Sequence, residues 1–133
     1  MPERSRASPP AAALVARPCP CSLTHPSHAH THMHTRRFYK YVAGQRFGKH
    51  VDGSVDLPGG RRTEYTLLVY LSSCVGGETR FYGRGRRLLC VCAPAAGAAL
   101  LHRHGDHCLE HEGAAVSAGV KYVLRSDVVF ARV

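Results

Sequence analysis

His50-Val51-Asp52 sets an imidazole and a carboxylate two positions apart. In an extended segment such residues project to the same side, so both side chains can converge on one cation. A third ligand has to come from elsewhere, and His102, His104, His107 and His111 are the candidates. Two imidazoles and a carboxylate on one face of an octahedral ion leave the opposite positions open, the arrangement in which non-haem Fe(II) handles dioxygen. A structural zinc would instead be enclosed by protein ligands, usually with cysteine among them. The six cysteines, at 19, 21, 74, 90, 92 and 108, include no C-x-x-C pair and lack that spacing. An isolated H-x-D is weak evidence, since most such triplets are surface polar residues or satisfied core histidines. Its neighbours decide its weight.

The elements around these residues read as strands. Short apolar or alternating runs cover 38–42, 64–72, 79–82, 88–92, 98–101 and 120–133, and Gly and Pro cut between them at Gly44, Gly48, Gly53, Pro58, Gly76, Gly77, Gly83 and Gly85. β-Branched and aromatic content, together with the brevity of the runs, predicts an all-β sandwich or jelly roll. No segment has the length and period of a long amphipathic helix, and there is no internal repeat. Residues 1–36 are rich in Pro, Ala, Ser and His and lack apolar periodicity, so they are expected to form a disordered tail, its alternating histidines at 28–34 included. The folded domain is expected over 37–133.

A chain of 133 residues with 44% hydrophobic content has room for one modest core. The net charge of +9 is uneven: residues 1–40 carry six Lys/Arg against one acid, and 41–133 carry twelve against eight. The folded part is thus only mildly basic, and its charge reads as solvated surface; no specific nucleic-acid partner is expected. No apolar run reaches the length of a membrane span, which points to a soluble protein outside the membrane. Cys90 and Cys92 would face one side of a strand. The thiols are expected to be buried and free in a reducing, intracellular setting.

Several ordered landmarks carry a family resemblance. RFYKYVAGQRFGKHVD (37–52) resembles the R-x-Y-x-x-G-x-x-x-x-x-H-x-D segment of the prolyl 4-hydroxylase-like branch of the 2-oxoglutarate and Fe(II)-dependent dioxygenases. YTLLVYLS (65–72), GGETRFY (76–82), PAAGAALL (94–101) and HEGAAVSAGVKYVLRSD (111–127) resemble its later landmarks in order. The resemblance implies a double-stranded β-helix, a jelly roll of the cupin-like kind, and iron held by His50, Asp52 and His111. It implies a basic residue ten positions past the distal histidine, bound to the far carboxylate of 2-oxoglutarate. Lys121 stands there relative to His111, whereas His107 and His104 would place Ser117 and Ala114. Arg125, four residues on and on the same strand face, is the other cation that could act as the clamp. Tyr41 and Tyr70 are implied as phenolic partners of the 2-oxoglutarate carboxylates, with Thr66 and Arg80 as weaker candidates.

The activity implied is hydroxylation of a protein or small-molecule substrate, a peptidyl proline being the natural guess. Fe(II), 2-oxoglutarate and O₂ would be consumed or held, and ascorbate would restore the iron. Members of this family carry further elements before the first landmark. Their replacement here by a low-complexity tail leads us to expect a fragment, and makes a catalytically inactive or truncated jelly-roll binding module the main rival reading. A nucleic-acid-associated protein using the basic tail is the other.

Overall fold

Alternation along KYVLRSDVVFA produces strand β11 (Lys121–Ala131), with Lys121, Val123, Val128 and Val129 buried. In the computed structural model, which describes residues 31–131, β11 lies in the interior of the larger sheet. Strands β1 (Thr31–Tyr41) and β4 (Arg61–Tyr70) flank it, both antiparallel. Along the far edge of β4 run β3 (Asp56–Leu57) and β8 (Ala99–Arg103). The smaller sheet has the order β2 (Phe47–His50), β9 (Glu110–Gly113), β6 (Thr79–Tyr82) and β7 (Leu88–Cys92). A short pair, β5 (Val75–Gly76) with β10 (Val116–Ala118), completes an antiparallel jelly roll.

The core joins the two sheets through Tyr70, Leu100 and Val123 of the larger and Phe81 of the smaller. Burying these side chains supplies the main folding drive, roughly 2 kcal/mol for each large one. Among the described residues the helical segments are two single 3₁₀ turns, Arg84–Arg86 and Gly105–His107. No described helix is long and apolar enough to cross a membrane.

Each run expected as a strand overlaps one, and β1, β4 and β8 extend beyond theirs. The short strands β2, β3, β5, β9 and β10 were not expected, because neighbours across a sheet hold them and their own apolar pattern is faint. The expected domain boundary shifts: β1 begins at Thr31, so residues 31–36, placed in the tail by composition, pair with β11. A long partner strand offers backbone donors and acceptors that a polar segment satisfies as well as an apolar one. The expected disorder of 1–30 falls outside the described residues. Cysteine burial also needs correction, since Cys90 is exposed on β7, an edge strand. Its Sγ does lie 3.7 Å from that of Cys92, on one face of the strand.

One turn depends on glycine. Gly76 has φ +75°, and a Cβ there would stand 2.4 Å from the Ala115 carbonyl oxygen, a backbone atom that cannot swing aside. Gly76→Ala is expected to lower unfolding free energy by about 2–3 kcal/mol in a denaturant titration. Gly53→Ala, at a position with open space around it, is expected to change it by less than about 1 kcal/mol.

Candidate metal centre

His50 closes β2, and its partner across the antiparallel ladder is His111 on β9. The two rings are 4.2 Å apart between centroids. Strand pairing thus brings together residues far apart in the chain. Each ring has its proton placed by a backbone carbonyl: Nδ1 of His50 donates to Gly48 O at 2.7 Å, and Nδ1 of His111 to Leu109 O at 2.8 Å. A neutral imidazole with Nδ1–H keeps a lone pair on Nε2. Both Nε2 atoms face Asp52, at 3.5 Å from Oδ1 for His50 and 3.8 Å from Oδ2 for His111.

Asp52 lies just past β2 and is 7% exposed. Its Oδ2 accepts a hydrogen bond from Thr66 Oγ1 at 2.7 Å and pairs with Arg125 Nη2 at 3.3 Å. Burial alone would raise its pKa, but the Thr66 hydroxyl, the Arg125 guanidinium and the neighbouring imidazoles together outweigh that and hold it below the usual carboxylate range. Burial pushes His111 down, keeping the ring neutral. One donor atom from each of His50, Asp52 and His111 lies within 4.8 Å of the others. A deprotonated carboxylate and two imidazoles whose Nε2 atoms are turned inward fit a divalent cation.

Behind Asp52 runs a chain of hydrogen bonds with a fixed sense. Thr66 donates to Asp52, so the 2.6 Å contact of its hydroxyl with His104 Nε2 must be accepted from that ring. His104 Nδ1 is then the acceptor for Thr63 Oγ1 at 3.2 Å. His104 is therefore a buried, satisfied histidine that orients the carboxylate through Thr66. Thr66→Val removes the donor and strands the His104 N–H. It is expected to lower Fe(II) affinity by about 10–100-fold in anaerobic titration, with about 2 kcal/mol lost from stability.

A cavity leads from these residues past Tyr39, Tyr41 and Thr79 to Lys121. Lys121 is buried, its Nζ donates to Gly77 O at 2.7 Å, and the Tyr41 and Tyr70 rings stand 5.5 and 5.6 Å from it. Burial draws its pKa below the ordinary lysine value. Arg125, on the same strand face, is engaged at the other end by Asp52 and by Asp127 at 3.5 Å. Tyr41 lines the cavity, and burial raises its phenol above the usual value. Tyr70 sits deeper: burial pushes it up to about 12, and its hydroxyl is already paired with Thr79 Oγ1 at 2.7 Å. Arg80 points instead to Glu78, at 3.3 Å.

Sequence reasoning singled out neither Thr79, Asp127 nor Cys108. It weighed His102 and His104 only as ligand candidates. Their alternation along and just beyond β8 was the available signal that both face inward.

Comparison with known proteins agrees with this geometry. Residues 36–126 match the family model of the 2OG-Fe(II) oxygenase superfamily. Among curated proteins no sequence matches significantly. Three solved structures share the fold at low identity. A viral collagen prolyl hydroxylase from Paramecium Bursaria Chlorella virus-1, in complex with 2OG, superposes with TM-score 0.60 at 23% identity over 77% of this chain and 61% of its own. A Burkholderia pseudomallei oxidoreductase of the 2OG-Fe(II) oxygenase family gives 0.62 at 21% identity, over 77% of this chain and 46% of its own. A Pseudomonas putida prolyl-4-hydroxylase gives 0.54 at 20% identity, over 74% and 52%. The chain thus spans about half to three-fifths of the length of these structures. With the family model covering most of the described residues, and the fold and donor set alongside it, the chain belongs to the 2OG-Fe(II) oxygenase superfamily.

Proposed function

We propose that the chain is a Fe(II)- and 2-oxoglutarate-dependent dioxygenase domain. One observation carries the reading: His50 and His111 are cross-strand partners whose Nδ1–H groups are tied to carbonyls, at one end of a cavity that ends in the buried cation Lys121. His50, Asp52 and His111 would hold the metal. Lys121 would take the far carboxylate of 2-oxoglutarate as a charge-assisted partner in place of Gly77 O. Tyr41 would donate its phenolic proton to that carboxylate, and Tyr70 would act through Thr79. Arg125 is assigned to Asp52, where it keeps the ligand ionised and oriented.

Iron, when bound, supplies the redox chemistry that couples 2-oxoglutarate and O₂ to succinate, CO₂ and a hydroxylated substrate. The residues bind, orient and desolvate; Leu68 and Val123 line the cavity between the two ends. Ascorbate is part of the proposal as the reductant that restores iron after uncoupled turnover. The substrate is proposed to be a protein or small molecule, with a peptidyl proline the first to try on the strength of the viral and bacterial prolyl hydroxylase likeness. An intracellular, reducing setting is proposed from the free thiols of Cys74, Cys90 and Cys108.

Purified protein with Fe(II), ascorbate and 2-oxoglutarate is expected to release succinate, and His50→Ala to release none above the metal-free blank. Fe(II) and 2-oxoglutarate binding without succinate from any peptide or small-molecule substrate would favour a binding module. Absence of Fe(II) binding would sink the oxygenase reading.

A further inference from the structure

We infer a second metal site, built from His102, Cys108 and His111 and suited to a borderline-soft divalent ion such as Zn(II). One donor atom from each residue lies within 4.8 Å of the others. The independent observation is His102 itself. It is 9% exposed, and its Nε2 has no hydrogen-bond partner, with Asp52 Oδ2 lying 3.6 Å away. The other nitrogen, Nδ1, lies 3.4 Å from Arg103 O, which can accept its proton and leave a lone pair on Nε2. A buried imidazole nitrogen left bare is disfavoured, and a cation would satisfy it.

Cys108 supplies the soft donor. Its Sγ is 3.9 Å from His111 Nδ1 and accepts the backbone N–H of Asp52 at 3.2 Å. Burial pushes the Cys108 thiol up and outweighs the Asp52 N–H, so the metal-free chain holds the thiol and the bound cation itself would draw off its proton. A thiolate with two imidazoles selects zinc over the harder ions that carboxylates prefer, and three protein ligands leave one position for water. On binding, the thiol proton passes to solvent.

His111 belongs to both ligand groups through different nitrogens, and this is where the inference rests on the proposed function. Nε2 faces Asp52 and His50, whereas Nδ1 faces Leu109 O and Cys108. Coordination through Nδ1 requires the ring proton to move to Nε2, where it would face Asp52 Oδ2 and could no longer leave a lone pair for iron. Zinc at the soft site and iron at the facial site therefore exclude each other.

The test uses the full chain, stripped of metal, with iodoacetamide labelling of Cys108 followed by peptide mass spectrometry. Resolving the label by site keeps Cys19, Cys21 and the tail histidines out of the readout. Zn(II) is expected to slow Cys108 labelling by about tenfold or more in wild type and in His50→Ala, and to give little protection in His102→Phe. Cys108 labelled at one rate with and without Zn(II) would overturn the site. So would protection lost in His50→Ala and kept in His102→Phe, because it would put the ion in the facial set. In wild type already holding Fe(II) and 2-oxoglutarate under anaerobic conditions, the same protection is expected to need about tenfold more Zn(II). Equal protection at equal zinc in that arm would count against the facial reading and leave the zinc site standing.

Discussion

Lys121→Met is expected to weaken 2-oxoglutarate binding by about 30–1000-fold while leaving the chain without cosubstrate as stable as wild type or more so. The first half follows from removing one partner of a desolvated charge pair, an effect of about 2–4 kcal/mol. The second follows from what Lys121 has in the absence of cosubstrate. Among the described residues no carboxylate lies within ion-pair distance of it, and its ammonium has the Gly77 carbonyl and two aromatic faces. A buried cation without a counter-ion is destabilising, so an apolar side chain of similar length relieves the fold. Calorimetry with 2-oxoglutarate and Mn(II), beside denaturant unfolding of the metal-free protein, measures both. A stability loss with unchanged affinity would make Lys121 a packing residue. An affinity that falls in Arg125→Met and holds in Lys121→Met would move the clamp to Arg125.

Asp52→Ala is expected to remove measurable Fe(II) binding and to destabilise the chain by about 3 kcal/mol. The metal effect comes from losing the anionic member of the donor set, for which no other buried carboxylate stands ready: Asp127 is occupied by Thr35 at 2.9 Å and by Arg125. The stability effect comes from breaking a half-buried pair and leaving the Thr66 hydroxyl and the Arg125 guanidinium short of an acceptor. Asp52→Asn separates the two, because an amide oxygen can accept from Thr66 but carries no charge. It is expected to recover part of the stability and little of the metal affinity. The sign with pH follows from the depressed native pKa of Asp52. Its ionic contribution is complete above the unfolded value of about 3.9 and is lost as pH falls from there through the lower native value. The stability gap between wild type and Asp52→Asn should therefore close on acidification; a gap that stays constant to low pH would mean that charge is not its source.

How much of this could be read along the chain varies by residue. The all-β class was legible because alternation, β-branched residues and glycine turns are local signals, and the runs at 79–82 and 88–92 became strands with those bounds. Residues 31–36 misled, since polar composition says nothing of the partner strand waiting beside them. Cys90 misled for the opposite reason: an apolar run reads as buried until its strand turns out to lie at a sheet edge. His102 and His104 looked alike in sequence, two apart on one face, but Thr66 and Thr63 satisfy His104, whereas Nε2 of His102 has no hydrogen bond and stands 3.6 Å from Asp52 Oδ2.

By itself, then, the order of side chains determined the donor types, the H-x-D spacing and the ten-residue step from His111 to Lys121. The first two depend only on strand geometry over a few bonds; the ten-residue step took its meaning from the family resemblance. The tertiary structure alone decided that His111 is the neighbour of His50, that Arg125 is engaged by Asp52 while Lys121 is not, and that Tyr70 has spent its hydroxyl on Thr79. Those outcomes depend on register between strands remote in the chain, and a one-residue slip would turn every such side chain to the opposite face.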